Sequence, residues 1–499
     1  MSEGRERPPG AGARAPAGMT RRTLLQRAAS LGVGAATLGA LDVLARTPPR
    51  AQAKAKTALP EVQFQIEKFI PRAVKLEGVK VLMPPVYTTF ATIALTRTPT
   101  QADQATLASA LAAVEASYPF SPSGVFATVA YGVPYLERLP GGLDGALVAA
   151  HMPRLASEPQ SYAFAEAVPG PTDVSPANPE VTKQRFQIPV QIESNDMLVT
   201  LRSDSTQAID EALAWLAGES STLAGANVGG SGLGELLSVT SRRLTFTQIG
   251  LPRRLAEEHA LPYAQTINPS SPMWMGFSSQ QVGTSGPPAI TTFLGDASAR
   301  LTTARKGDYF DHGSVQHLSH VIQDLEQFYE APGETYERRV AEMFSADPVP
   351  RPGNADQFAD GGGPAFIPSA FANPQQAERE AEGGDTFDGQ PHLAHTTALQ
   401  RTSRAPDRTP MHIRADGPGF DSLDVPHGSP QPKLHFSIFV PSAAFFATLR
   451  RSQASLDLAQ RYGVSGSNLG LERFLTATRR QNFIVPPRRN RAFPLVELA

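Results

Sequence analysis

The sequence predicts an α+β protein made of two similar halves, each with an antiparallel sheet and helices packed on one face. The first indication is a β-α-β unit near the start of the mature chain. Residues 86–97 alternate and are rich in β-branched side chains, which predicts a strand. Residues 101–117 have high helix propensity with apolar positions at helical spacing, and residues 124–131 again predict a strand.

A second β-α-β unit begins at Asn195. Residues 197–202 predict a strand, residues 205–217 a helix, and residues 236–248 one or two further strands. Two such units that share one antiparallel sheet are the ferredoxin-like pattern. The first half is therefore predicted to be ferredoxin-like.

The third indication is a looser repeat of this pattern in the second half. Residues 317–329 begin as a strand and end as a polar helix, residues 433–440 alternate as a strand, and residues 441–462 are helical in pattern. We therefore predict two ferredoxin-like halves of the dimeric α/β barrel type, with a boundary near residue 260. The predicted segments are a signal peptide (1–53), a linker (54–75), an N-terminal domain (76–260) and a C-terminal domain with the cofactor pocket (261–499).

The first fifty residues are typical of an export signal. Arg21 and Arg22 precede a small, apolar run over residues 28–45, and residues 51–53 read Ala-Gln-Ala, which resembles a signal-peptidase site. The alternative is a membrane-anchoring helix, but the run is rich in Ala and Gly and contains Asp42. The pattern predicts export by the twin-arginine route to the periplasm or the extracellular space, with no membrane attachment after cleavage.

Composition excludes several classes of function. The 499 residues include 45 Lys and Arg against 47 Asp and Glu, and this balance gives no basic footprint for nucleic acid. Cysteine is absent, which excludes disulfides, thiolate metal sites and Cys nucleophiles. Gly229 to Gly234 lacks the last glycine of a dinucleotide-binding loop, and Asp144 in a glycine-rich stretch is interpreted as a turn residue. No feature of the sequence indicates an oligomeric state.

The ten histidines are the most informative residues. His395 follows a long Pro/Gly-rich stretch, and a neutral imidazole at the end of a loop is suited to be the single axial ligand of haem iron. Arg414 follows 19 residues later and would supply a fixed positive charge on the facing side. A weaker alternative is a metal site formed by His312, His317 and His320, the last two sharing a helical face.

The order of these segments resembles the dye-decolorising peroxidase superfamily of haem proteins. The resemblance depends on Asn268–Gln280, on Asp311–Phe328, on the segments around His395 and Arg414, and on two C-terminal stretches, Lys433–Val440 and Phe474–Pro494. It implies haem b, with His395 as proximal iron ligand, Arg414 as distal catalytic residue and Asp416 as its candidate hydrogen-bond partner. It also implies that Gly276 and Phe277 line the cofactor, and that hydrogen peroxide and a small aromatic reductant are the substrates.

The chain departs from the family at the catalytic motif. Ser279 stands where the family has its distal aspartate, and Gln280 stands where it has the closing glycine. Serine does not act as a base near neutral pH without an activating partner. Two hypotheses therefore stay open: an exported haem-binding protein with atypical or lost peroxidase activity, or a non-enzymatic exported binding or structural module without haem.

Overall fold

Strand order is the clearest feature of the computed structural model. The structure describes residues 58–70, 73–76, 79–281, 285–294, 301–330, 336–344, 365–369, 386–387, 390–403, 409–464 and 470–499. The predicted signal peptide lies outside these residues. In the first half the strands are β1 (Val74–Leu76), β2 (Val79–Val81), β3 (Tyr87–Leu95), β4 (Phe126–Tyr131), β5 (Gln191–Ile192), β6 (Met197–Ser203), β7 (Thr222–Leu223), β8 (Ala226–Asn227) and β9 (Leu237–Phe246).

The second half contributes the remaining strands. These are β10 (Ser278–Gln281), β11 (Ser314–Gln323), β12 (Phe366–Ser369), β13 (Thr386–Phe387), β14 (Gln390–Pro391), β15 (Ile413–Arg414), β16 (Gly417–Asp421), β17 (Gln431–Val440) and β18 (Leu475–Val485). The helices are α1 (Gln101–Ser117), α2 (Val133–Glu137), α3 (Ala146–His151), α4 (Thr206–Leu216), α5 (Leu251–Glu258), α6 (Pro288–Thr291), α7 (Leu325–Glu330), α8 (Tyr336–Met343), α9 (His395–Ser403), α10 (Ala443–Ala454) and α11 (Leu456–Tyr462).

The main sheet contains the same strand order twice. Across the first half the order is β4-β6-β3-β9, with α1 after β3 and α4 after β6. Across the second half it is β15-β17-β11-β18, with α10 between β17 and β18. The ladders within each of these two sets are antiparallel. The chain is therefore α+β with two ferredoxin-like halves, as the sequence predicts.

The two halves meet at one edge pair. Ile484 of β18 pairs antiparallel with Tyr131 of β4, which joins the two sets of strands into one ten-stranded sheet. At the other end, β16 packs on β9 at Gly417, where an added Cβ would lie 3.0 Å from Thr245 Cβ. No backbone ladder joins β9 to β15 or β16 among the described residues. Over the described residues the sheet therefore does not close into a barrel, and its two ends approach each other here through side-chain packing.

The core lies between the inner faces of the two halves. Its central cluster combines residues from both: Val62, Phe64, Phe90, Ala130, Leu198, Leu318, Ala415, Phe439, Phe483 and Val485. Phe64 stacks on Phe439 with ring centroids 3.9 Å apart. Part of the predicted linker is therefore integral to the fold, because Val62 and Phe64 are buried there.

Contacts group residues 51–499 into one compact unit. The boundary between residues 260 and 261 stays a prediction, since the repeat of strand order marks two halves without separating them. Within the described residues, no helix combines the length and apolar character that crossing a membrane requires.

Candidate functional site

His395 begins α9 and is almost fully enclosed. Its exposed fraction is 8%. Burial lowers the pKa of the imidazole to about 4, while the nearby Glu472 carboxylate opposes this shift and the Arg414 cation adds to it. At neutral pH the ring is therefore uncharged and retains a nitrogen lone pair, the state in which histidine binds a metal.

The surroundings of His395 are tightly packed. The ring of Phe344 stands edge-on to the imidazole, with centroids 6.1 Å apart. Gly470 adopts a left-handed conformation with φ of +46°, and an added Cβ would lie 3.3 Å from the His395 backbone. The chain thus approaches the first turn of α9 at a distance that glycine accommodates.

Arg414 and Asp416 lie at the sheet edge next to this region. Arg414 is opposite Ile438 in the β15–β17 ladder, its side chain is 39% exposed, and its Nε is 3.9 Å from Asp416 Oδ1. Burial raises the pKa of Asp416, and the charges of Arg414 and Arg202 partly offset this. The charge of Arg414 adds to the lowering of the His395 pKa, as a smaller effect than burial. The roles of these residues as proximal and distal groups of a cofactor stay predictions.

The predicted Gly276–Phe277 turn reaches the same region through Phe344. The Phe277 ring packs against Phe344 in a T-shaped arrangement at 5.1 Å, so Phe344 contacts both Phe277 and His395. Gly276 has φ of +78°, and an added Cβ would lie 2.6 Å from Tyr336 Oη and 3.1 Å from Tyr329 Oη. Both tyrosine hydroxyls donate to carbonyls of the preceding turn.

We expect Gly276→Ala to lower the free energy of unfolding by about 2–4 kcal/mol. The left-handed backbone costs an L-residue about 1–2 kcal/mol, and displacing a buried hydroxyl from its carbonyl adds a comparable amount. The matched control is Gly229→Ala, because Gly229 has φ of +79° with nothing within 4 Å of its Cβ position. Chemical denaturation of both variants measures the difference, and equal losses would show that the tyrosine contacts contribute nothing.

Ser279 lies in β10, which pairs in parallel with β12. Its Oγ is buried and makes no hydrogen bond among the described residues. In the described part of the chain, the serine predicted to replace the family's aspartate therefore has no hydrogen-bond partner that could activate it as a base.

Two adjoining cavities lie on the outer face of the C-terminal half. One, with an internal volume of about 10 Å³, is lined by His395, Leu393 and Ala398. The other, of about 40 Å³, is lined by residues that include Arg450, Arg480 and Phe436. Gln453 and Glu472 line both cavities and so lie between them.

The larger cavity contains two buried ion pairs. Arg450 Nη2 is 3.1 Å from Glu472 Oε2, and Arg480 Nε is 2.6 Å from Asp173 Oδ2. The Nε of Arg450 is buried and makes no hydrogen bond among the described residues. This cavity can therefore offer a donor to an anionic group.

Sequence reasoning missed these arginines and misplaced one set of histidines. His317 and His320 lie on strand β11 rather than on a helix, and residues three apart on a strand point to opposite faces. His317 contacts Asn482 and Ser319, whereas His320 faces Asp421 and Asp424. The alternative metal site with His312 is thus wrong. Strand alternation would have separated the two rings, but the partners of His320 were not visible in the sequence.

Comparison with known families gives one match over most of the chain. A family model described as "Family of unknown function (DUF7405)" matches residues 160–487. The chain matches no curated protein.

Several solved structures resemble the chain in fold. A putative DyP-type peroxidase protein from Shewanella oneidensis is 12% identical, with a TM-score of 0.45, over 83% of this chain and 95% of that one. DyPB from Rhodococcus jostii RHA1 is 15% identical, with a TM-score of 0.43, over 82% and 95%. An encapsulated DyP-type peroxidase from Mycobacterium smegmatis is 12% identical, with a TM-score of 0.41, over 82% and 95%. At this distance the assignment of a site depends on the chain's own residues.

Proposed function

This chain belongs to DUF7405, a family of unknown function, and we propose that it is an exported haem-binding protein in which His395 would bind the iron. The observation that carries the proposal is a neutral, buried imidazole at a cavity wall, within electrostatic reach of Arg414. Export is proposed because residues 1–53 are predicted to be a twin-arginine signal. The twin-arginine route exports proteins that are already folded and carry their cofactor.

The donor chemistry of the region fits haem. His395 offers a neutral nitrogen, which haem iron accepts as an axial ligand. The adjoining cavity presents Arg450, whose Nη atoms pair with Glu472 and whose buried Nε has no hydrogen-bond partner in the described part of the chain. One charged donor would therefore be left for a carboxylate of the kind that haem carries. When bound, haem would supply one-electron redox chemistry toward peroxide.

The chain's own residues would perform three tasks. His395 would hold the iron, and its imidazole is uncharged at neutral pH because it is buried. Arg414 would provide a fixed positive charge toward an anionic oxygen. Asp416, whose pKa is raised by burial, is the nearby carboxyl that can hold a proton, since Ser279 cannot take one. We therefore propose oxidation of a small aromatic reductant by hydrogen peroxide, weakened by the missing aspartate.

The test is the visible spectrum of the full chain produced with haem supplied. We expect a Soret band that His395→Ala abolishes and that His412→Gln leaves in place, because His412 is a second imidazole with a low pKa that the proposal does not use. A Soret band unchanged in His395→Ala, or lost only in His412→Gln, would overturn the assignment. Peroxide-dependent dye oxidation should fall in Arg414→Gln while the Soret band remains.

A second candidate is a non-enzymatic exported binding module without haem. Two observations favour it: Gln453 and Glu472 lie between the two cavities, and both cavities, at about 40 and about 10 Å³, are far below the range of about 300–1,000 Å³ typical of ligand pockets. A porphyrin is larger than most ligands in that range. Absence of any Soret band in the wild-type chain, despite a cooperative unfolding transition, would establish this candidate over the first.

A further inference from the structure

A second polar cluster lies on the opposite face of the C-terminal half, toward the N-terminal strands. It consists of His320 on β11, Asp421 at the end of β16 and His435 on β17. The side chains of the two histidines are fully buried and that of Asp421 is 11% exposed. One ligand atom from each residue lies within 4.8 Å of the others. Three strands adjacent in the sheet thus bring three metal-ligating groups to one point.

His435 is a buried histidine whose ring nitrogens lack hydrogen-bond partners among the described residues. Neither of its ring nitrogens makes a hydrogen bond in the described part of the chain, although the ring is completely enclosed. Its Nε2 is 3.2 Å from Asp421 Oδ2, but without hydrogen-bond alignment. Leaving a buried polar group without a partner costs about 1–3 kcal/mol. A bound cation would accept the Nε2 lone pair and so give one of the two nitrogens a partner.

The backbone leaves room on the same side of the ring. A Cβ added at Gly419 on β16 would lie 2.5 Å from His435 Nε2, closer than any real contact of that kind. Only glycine at this position allows the strand to pass the imidazole nitrogen. His435 Nε2 therefore faces a small space between β16 and β17 that a side chain at position 419 would fill.

His320 is oriented as metal-binding histidines usually are. Its Nδ1 is 3.1 Å from Thr478 Oγ1 and 3.3 Å from Asp424 Oδ2, and Asp424 is held by Arg479 at 2.6 Å. A carboxylate on one ring nitrogen fixes the tautomer and leaves the other nitrogen for a metal. That other nitrogen, Nε2, is directed to Asp421, 3.5 Å from its Oδ2.

From these contacts we propose that His320, Asp421 and His435 bind a divalent transition-metal cation of the zinc class. Two imidazoles and one carboxylate form a ligand set suited to zinc, with a fourth position left for water. The cation would tie β11, β16 and β17 together on the face opposite His395. The proposal is independent of haem, because none of its ligands lines either cavity near His395.

The buried lysine Lys433 lies beside this cluster and supports a competing explanation, an ion-pair network without metal. Its Nζ is 3.8 Å from Asp421 Oδ1 and donates to the Leu423 carbonyl. A buried ion-pair network without metal would also place these charges together. The experiment must therefore separate metal binding from ion pairing.

The experiment uses the full chain, stripped with chelator and dialysed, then loaded with zinc or cobalt(II). We expect one equivalent of zinc to remain after dialysis, a cobalt ligand-field spectrum, and a rise in the unfolding temperature on zinc addition. Cobalt and zinc keep the readout separate from haem iron. Asp421→Asn, which is nearly isosteric, should lose the cobalt spectrum and weaken zinc retention by at least about tenfold, since loss even of a residue that only supports a ligand costs about that much.

The control is His317→Gln, a buried histidine on the same strand whose ring contacts Asn482 on the other face. It should keep the cobalt spectrum. His435→Gln should also lose the cobalt spectrum. If that variant does not fold, the comparison of Asp421→Asn with the wild-type chain still tests metal binding. Failure of the wild-type chain to retain zinc or to give a cobalt spectrum would overturn the proposal in favour of the ion-pair network, as would an unchanged spectrum in Asp421→Asn.

Discussion

Arg480→Met should lower the free energy of unfolding by about 3–5 kcal/mol, because it leaves a buried carboxylate without its cation. Arg480 on β18 binds Asp173 through two hydrogen bonds, of 2.6 and 2.8 Å, and both side chains are 3% exposed. Burial alone would raise the pKa of Asp173, but the Arg480 charge and hydrogen bonds lower it overall. The carboxylate is therefore charged at neutral pH and depends on this partner. Denaturant titration at pH 7 measures the loss.

A double-mutant cycle separates the pair from other effects of the substitution. Asp173→Asn combined with Arg480→Met removes both charges, so the double variant should lose less than the two single losses added together. The exposed pair Arg489–Glu61 is the control, since its side chains are 38% and 43% exposed. Glu61→Gln should cost less than about 1 kcal/mol. A loss in Arg480→Met no larger than in Glu61→Gln would contradict the prediction.

The fold was predictable where local signals agree. Helix α1 spans Gln101–Ser117 as the sequence predicts, because apolar spacing and helix propensity coincide there. Thr100 completes the signal, since its side chain accepts from the Asp103 amide and Asp103 accepts from the Thr100 amide, a capping box. Strand β3 also matches, as an alternating β-branched run. Each of these patterns is complete within one short segment of chain.

The polar pairs were not predictable, because their partners are distant in sequence. Asp173 and Arg480 are 307 residues apart, and Asp421 meets His320 only after β16 pairs with β17. His320 illustrates the difficulty, since a helical spacing with His317 suggested a shared face that the strand removes. His395 and Arg414 could be chosen from order along the chain, but the two cavities and the Phe344 contact depend on tertiary packing.

His412 is expected to make the stability of the metal-free, haem-free chain fall as the pH drops from about 6.5 to 4.5. Burial, and secondarily the Arg414 cation, lower the pKa of its imidazole from 6.5 to about 3. Since the folded pKa lies below the unfolded value, the unfolded chain binds more protons in this window, and unfolding becomes easier as pH falls. At about 1.4 kcal/mol per pH unit, the loss from this residue is about 2–3 kcal/mol at pH 4.5.

The comparison that isolates His412 is the slope of unfolding free energy against pH in three proteins. His412→Gln should flatten the slope between pH 6.5 and 4.5. Part of the slope should remain, because burial also lowers the pKa values of His395 and His435. Arg414→Gln should flatten it less, because the charge is the smaller cause and burial remains. An unchanged slope in His412→Gln would mean that the imidazole is already accessible to protons in the folded chain. The order of the three slopes therefore measures how well the sheet edge around Arg414 excludes water and protons from His412. The proposed role of Arg414 depends on the same edge.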